Sequence, residues 1–254
     1  MVQHLLKPFG VEIQEIPPGS KLNMLAMAEL CKAIDTHHLC VLRGFQAPSQ
    51  DEMLSFCRQL GKIRQWQFGE IVELQVEEDS KNYLYTNRSV LFHWDGAFCT
   101  DTPHYIFLYC KTAPDEGAGG ETVFCDAGLL LQRLTKTQRD LWNSISITYT
   151  PDKSVHGFHR NLIGKHPVSG KPVLRYAEPI EELNPLRLTV HGLPEQDTAA
   201  FLAEMRSLLY DSGHWYLHSW RTGDVLIADN YSLLHARRSF TGGTPRHLSK
   251  INIL

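Results

Sequence analysis

The chain is poor in features that would settle its class at a glance, and each absence excludes something. None of its six cysteines (Cys31, Cys40, Cys57, Cys99, Cys110 and Cys125) forms a CxxC pair, which argues against a cysteine-rich structural zinc site. Most of them stand in apolar segments, where cysteine behaves as a small buried hydrophobe. Apolar runs are short, Val225-Leu226-Ile227-Ala228 being typical, so no segment is expected to span a bilayer. The N-terminal stretch with His4, Lys7 and Pro8 lacks the apolar core of a secretory signal. Together with the scattered thiols, this points to a reducing cytoplasm. Neither sign of charge dominates: 25 Lys and Arg against 28 Asp and Glu give a formal charge of -3. That balance offers no footprint for nucleic acid or an anionic membrane and leaves a small molecule as the expected partner, with a homo-oligomer open. Repeats, low-complexity tracts and long linkers are missing too. The 254 residues are expected to form one domain, 1–254, with the stretch 114–120 as an internal loop.

What is present begins with helix signals. Ser49-Gln50-Asp51-Glu52 is a capping box ahead of Met53, Leu54, Phe56, Cys57 and Leu60, with Gly61 as the stop. A less regular helix is expected over Leu22 to Ile34, capped by Ser20. A third opens at Thr135 and buries Leu141, Trp142 and Ile145, and a fourth runs from Pro194 to Gly213 with Phe201, Leu202, Met205, Leu208 and Leu209 as its stripe. Between them lie short β-type runs, at 40–45, 104–110, 122–125, 145–149, 171–176, 215–220, 224–228 and 246–254. Val168-Ser169-Gly170-Lys171 has the composition of a hairpin turn. Many short strands with a few helices outside predict a mainly β fold with flanking helices, a sandwich or barrel rather than a βαβ sheet.

His93-Trp94-Asp95 carries the chemistry. Residues two apart on a strand point to the same face, so His93 and Asp95 can aim at one ion while Trp94 turns away. His235, after the turn and strand of Gly223 to Asn230, is a remote third donor. Two imidazoles and one carboxylate form the facial triad that holds Fe(II) and leaves positions open. An isolated HxD is more often a hydrogen-bonded pair, and the surrounding motifs are what raise its meaning.

The order of His93-Trp94-Asp95, Gly119-Gly120-Glu121-Thr122, Gly223-Asp224 through His235, and Arg246 resembles the taurine/2-oxoglutarate dioxygenase (TauD/TfdA) family. Val41-Leu42-Arg43-Gly44-Phe45 and His166-Pro167-Val168-Ser169-Gly170 extend the likeness. The resemblance implies a distorted jelly-roll (double-stranded β-helix) core and the use of Fe(II), 2-oxoglutarate and O2. It implies His93, Asp95 and His235 as iron ligands, and Thr122 and Arg246 as the pair holding the distal carboxylate of 2-oxoglutarate. An arginine there suits a carboxylate better than lysine does. With Asp95 in the third ligand position, no halide can take it, and halogenation is disfavoured.

Lys250 shares a face with Arg246 and Leu248, where the resembled family places a second arginine for the anionic group of the primary substrate; it is expected to pair with a substrate carboxylate. Trp66 and Phe68 are expected to cover an aromatic-lined pocket, and Phe92 and Tyr105 to be core. His93-Trp94-Asp95-Gly96 and the 166–172 segment are most similar to PvcB-type enzymes of isonitrile biosynthesis. That likeness implies desaturation coupled to decarboxylation of an amino-acid-derived isonitrile to a vinyl isonitrile. The alternatives are hydroxylation of a small sulfonate or an aryloxy or alkyl acid, a zinc-dependent hydrolase, and a binding protein that kept the barrel and lost the chemistry. The last predicts a broken triad, and the three residues are intact.

Overall fold

Turn-bounded runs of β-branched and aromatic residues become strands, and the amphipathic segments between them become helices. The computed structural model describes residues 2–14, 17, 19–151, 156–183 and 185–254. The first half holds strands β1 (Val2–Leu5), β2 (Val11–Gln14), β3 (Leu39–Leu42), β4 (Ile71–Leu74), β5 (Val90–His93), β6 (Tyr105–Thr112) and β7 (Thr122–Asp126), with helices α1 (Met27–His37) and α2 (Gln50–Leu60). Helices α3 (Ala127–Gln132) and α4 (Lys136–Ser144) follow, then β8 (Ser146–Pro151), β9 (Phe158–Asn161), β10 (Ile163–Lys165), β11 (Pro172–Leu174) and β12 (Leu186–His191). Helix α5 (Glu195–Leu209) leads into β13 (Trp215–His218), β14 (Val225–Asp229), β15 (Leu233–Arg237) and β16 (His247–Ile253). The fold is mainly β with few helices, as expected.

Two sheets matter for function. The larger has the order β1-β2-β3-β14-β6-β16-β4 and the smaller β13-β7-β15-β5. Leu39, Val41, Ile106, Leu108, Leu226 and Leu248 of the larger sheet meet Phe124 and Leu233 of the smaller in one buried cluster. The opposite face of the larger sheet (Cys40, Leu42, Phe107, Ile227 and Ile251) packs under Leu30 and Ile34 of α1 and Phe56 of α2. The outer face of the smaller sheet, with Val123, Cys125 and Leu234, packs against Leu130, Trp142, Phe201 and Met205 from α3, α4 and α5. Both sheets are therefore covered on both sides. That is why β3, β7, β14 and β15 are buried at every position, and why β3 and most of β14 read as continuous apolar runs instead of alternating.

Local signals held where they rested on caps. Ser49 Oγ accepts from Glu52 N and the Glu52 side chain accepts from Ser49 N, and Thr135 with Gln138 repeats the arrangement at α4. The 168–171 turn joins β10 to β11. The expected helix over Leu22 to Ile34 is corrected. A short 3-10 turn covers Leu22–Met24, Leu25 and Ala26 are extended, and α1 starts at Met27 with no side-chain cap. Ser20 is not the cap because it stands at neither helix start, the N-cap positions being Lys21 for the 3-10 turn and Ala26 for α1; its hydroxyl donates to Pro17 O at 2.6 Å. Leu141, expected to be buried, is 37% exposed, while its neighbour Trp142 is sealed. Phe92 and Tyr105 lie in the core. The six cysteines are all free, four buried and two half-buried, and no described helix is long and apolar enough to cross a membrane.

Candidate metal centre and its cavity

Adjacent strands bring the two histidines together. His235 on β15 is register partner to His93 on β5, a separation of about 4.5–5.5 Å between Cα atoms, and their rings lie 4.2 Å apart. The β5–β15 register slips between His235 and Arg237, whose partner is Val90. This bulge leaves Val90 and His93, three apart in sequence, lining one cavity, a re-aiming typical of bulges beside functional sites. Asp95 sits just past the end of β5. Trp94 turns the other way, into the core at 2% exposure, beneath the Arg175 guanidinium at 4.6 Å. Gly96 is required next: its φ is +111°, and a Cβ would meet the Trp94 ring at 3.1 Å and Thr102 Cα at 3.2 Å.

The backbone of Asp95 is clamped by a residue that sequence reasoning passed over. Asn230 Oδ1 accepts from Asp95 N at 2.9 Å, and Asn230 Nδ2 donates to Asp95 O and Pro103 O, each at 2.8 Å. The buried amide thus acts as a short strand partner. The Asp229-Asn230 pair before His235 was visible in the sequence; its reach to Asp95 was not.

His93 Nε2 and His235 Nε2 each lie 3.7 Å from Asp95 Oδ1, and the three donor atoms fall within 4.8 Å of one another. Two donors each about 2.1 Å from a shared ion can be at most about 4.2 Å apart, so the Nε2–Oδ1 edges suit one metal. His93 Nδ1 bonds to Leu91 O at 2.9 Å. A carbonyl only accepts, so Nδ1 carries the proton and Nε2 presents its lone pair. Burial lowers both imidazoles below their ordinary range; His93 further depresses His235, while Asp95 pulls both the other way. Burial by itself would raise the Asp95 carboxyl, but Lys250, then His235 and His93, hold it well below the usual carboxylate range. Two neutral imidazoles and an ionised carboxylate around one point are the donor set a ferrous ion takes.

His93 and His235 line a narrow cavity of about 50 Å³ between the two sheets, together with Thr122, Arg246 and Lys250, and Asp95 adjoins it through its contacts with both histidines and Lys250. Thr122 is buried, and its hydroxyl accepts from Trp220 Nε1 at 3.0 Å. Since an indole N–H can only donate, the Thr122 proton is left to donate elsewhere. Arg246 is 5% exposed. Its Nε donates to Gly120 O at 2.9 Å, and among the described residues no carboxylate pairs with it. Burial, then the nearby Arg237, lowers its pKa to about 9; an uncompensated buried cation of this kind calls for an anion. Gly120 is needed to admit it, as a Cβ there would stand 3.1 Å from Arg246 Cδ at a φ of +83°. The site thus fits a dicarboxylate as well as a metal. Arg237, also in the lining, spends its Nη groups on the carbonyls of Tyr83, Leu84, Thr86 and Arg88, so it fastens the 83–88 segment.

Lys250 faces the cavity, with Nζ 2.8 Å from Asp95 Oδ2. Trp66 and Phe68 do not join the wall. They stack on each other at 6.0 Å, Phe68 is 63% exposed, and the wall is instead aliphatic, from Leu74, Leu84, Ile106, Leu108 and Leu248, with Phe124 as its one benzyl ring. A larger cavity of about 440 Å³, between α3, α4 and the β10–β11 hairpin, shares no lining residue with this one.

Similarity to known proteins agrees with the geometry. The chain is 38% identical to 3-((Z)-2-isocyanoethenyl)-1H-indole synthase of Fischerella ambigua, over 98% of this chain and 94% of the relative. It is 32% identical to tyrosine isonitrile desaturase of Pseudomonas aeruginosa, over 96% and 87% respectively. The structure of PvcB, an Fe, alpha-ketoglutarate dependent oxygenase from an isonitrile synthetic pathway, superposes with a TM-score of 0.81 at 30% identity, covering 96% of this chain and 86% of that one. A taurine dioxygenase from Burkholderia xenovorans shares the fold at a TM-score of 0.76 and 18% identity, over 99% and 90%. The profile of the taurine catabolism dioxygenase TauD, TfdA family matches residues 2–251, and the chain belongs to that family of iron- and 2-oxoglutarate-dependent oxygenases.

Proposed function

We propose that the protein oxidises an amino-acid-derived isonitrile that bears a carboxylate and an aromatic side chain, desaturating and decarboxylating it to a vinyl isonitrile. One observation carries the reading: two cations, Arg246 and Lys250, share one cavity with His93 and His235 of the metal-competent triad, one for each of two carboxylate-bearing substrates. Arg246 immediately precedes β16 and Lys250 lies within it; four residues of extended chain span about 13 Å, enough to keep the two acids apart on either side of the ion. The names of the relatives, an isocyanoethenyl-indole synthase and a tyrosine isonitrile desaturase, supply the substrate class.

In this reading His93, Asp95 and His235 hold the iron. Arg246 forms the ion pair with the distal carboxylate of 2-oxoglutarate, and Thr122 donates its free proton to the same group. Bound iron, 2-oxoglutarate and O2 together supply an oxidant able to take hydrogen from a C–H bond. Lys250 has two protons beyond the one directed at Asp95 and holds the substrate carboxylate, so that position rather than acid–base chemistry selects the carbon oxidised. The aliphatic wall excludes water, and Trp66 and Phe68, stacked at a tight turn closed by mutual Trp66–Gly69 backbone bonds, form a cover rather than a lining. Loss of CO2 and two hydrogens from the substrate is balanced by conversion of 2-oxoglutarate and O2 to succinate, CO2 and water. The two facing sheets are taken as the distorted jelly-roll core of a single domain spanning 1–254, and six free cysteines support a cytoplasmic setting.

The test is an assay with Fe(II), 2-oxoglutarate and a panel of isonitrile acids carrying indole, phenol or phenyl groups. Succinate release coupled to a product lighter by CO2 and two hydrogens is expected. A product heavier by one oxygen would overturn desaturation, and succinate release driven only by sulfonates or aryloxy acids would overturn the isonitrile class.

A further inference from the structure

A strand interior is an awkward place for an asparagine, and Asn252 on β16 is wholly buried. Among the described residues its Oδ1 has no hydrogen-bond partner and is sealed from solvent, an arrangement that costs free energy. Its Nδ2 donates to Asp95 Oδ2 at 2.6 Å. The carboxylate can only accept, so the amide nitrogen must face it. Lys250, two residues earlier and on the same face of β16, donates to that same oxygen at 2.8 Å. The two side chains of one strand therefore occupy Oδ2, while Oδ1 points to both imidazoles, 3.7 Å from each.

We propose that Asn252 is a positioning residue: with Lys250 it caps Asp95 Oδ2 and so restricts this carboxylate to binding the metal through Oδ1 alone. The inference rests on Asp95 being a metal ligand. Lys250 contributes charge as well as a bond, and in the proposed reaction it has a second duty toward substrate. Asn252 is neutral and has no other use for its donor, which makes it the clean probe. With Asn230 gripping the main chain of Asp95 and Asn252 its side chain, the ligand is held at both ends. Restraint of this kind on a ligating carboxylate usually contributes about 10- to 100-fold to metal affinity.

The experiment titrates Co(II) alone into the metal-free protein and follows both affinity and the d–d absorption at saturation. Asn252→Leu keeps the volume and removes the orphaned acceptor along with the donor, so folding should survive; Asn252→Val, which also lacks a donor, serves if it does not. The expected result is Co(II) binding weakened by about 10- to 100-fold, with altered bands at saturation as Asp95 is freed to offer both oxygens. Wild-type affinity with wild-type bands would overturn the proposal. Weakened binding with unchanged bands would also overturn it, because Asn252 would then be acting only on stability. Asp95→Ala is the reference: if it binds Co(II) as the wild type does, Asp95 is not a ligand and the site assignment itself fails, a different outcome from Asn252 alone having no effect.

Discussion

Two clusters among the described residues have the same composition, two histidines and an aspartate, and both are compact enough to hold an ion: His93, Asp95 and His235, and His104, His166 and Asp229. Their hydrogen bonds separate them. In the second, His166 Nδ1 accepts from Val168 N and Ser169 N, each at 3.1 Å, so the proton must be on Nε2, which donates to Asp229 Oδ2 at 2.9 Å. Asp229 is further saturated by Tyr231 N, Ser232 N and the Ser232 hydroxyl. Every lone pair that a metal would need from His166 and Asp229 is engaged. In the first cluster the Nε2 atoms and Asp95 Oδ1 have no donor between them, and the lone pairs converge. Composition and proximity nominate both groups; the direction of the protons selects one. The second cluster is a clamp that ties the β10–β11 hairpin to the β14–β15 turn carrying Asn230, and so supports the first at one remove.

Breaking each cluster in turn should give opposite results. His93→Ala or His235→Ala is expected to reduce turnover to background and to abolish the rise in melting temperature on adding a divalent metal, with the apo fold intact. Retained turnover would remove the triad from the mechanism. Arg246→Ala should raise the 2-oxoglutarate requirement steeply, by on the order of 2–5 kcal/mol for a buried carboxylate that loses its partner, with the primary substrate affected far less. An unchanged requirement in steady-state kinetics would reject that pairing. His166→Ala should spare metal binding and destabilise the fold by about 1–3 kcal/mol, read as a melting temperature lower by roughly 2–4 °C per kcal/mol. If it abolished metal binding while stability held, the comparison would be inverted.

The smallest effect expected is on pH. Burial lowers His104, His214 and His218 below their ordinary range, so the folded state prefers them neutral. The stability they contribute is complete above about pH 6.5, the unfolded value, and is lost as the pH falls below it. Melting temperature should drop between pH 7.5 and 5.5 in the metal-free protein. Metal stabilisation should persist through most of this interval and fade only at lower pH, because burial already holds the ligating imidazoles neutral. A flat melting profile, or metal stabilisation lost across the same interval, would contradict these statements.

Much of this was legible in the residue order. HxD at 93–95 implied a shared face because side-chain alternation is a local property, and the capping boxes at Ser49 and Thr135 are closed within four residues. Lys250 and Arg246 shared a face for the same reason. What escaped depended on contacts between distant segments. The bulge in β5 arises only when β15 pairs with it, and Asn230 and Asn252 reach Asp95 across 135 and 157 positions. The expected aromatic wall failed likewise: Trp66 and Phe68 found each other, and strands β4, β6 and β16 filled the cavity with aliphatic side chains. Ser20 looked like a cap by type, but the chain stays extended at Leu25 and Ala26 and α1 begins only at Met27.

From its sequence alone the protein determined which groups could bind a metal and two acids, since imidazole, carboxylate and guanidinium carry their chemistry wherever they stand. Which of two equivalent His/Asp clusters keeps its lone pairs free, and which oxygen of Asp95 faces the histidines, was decided only in the tertiary structure. Protons and lone pairs are directional, and their directions are set by neighbours that strand pairing brings from far along the chain.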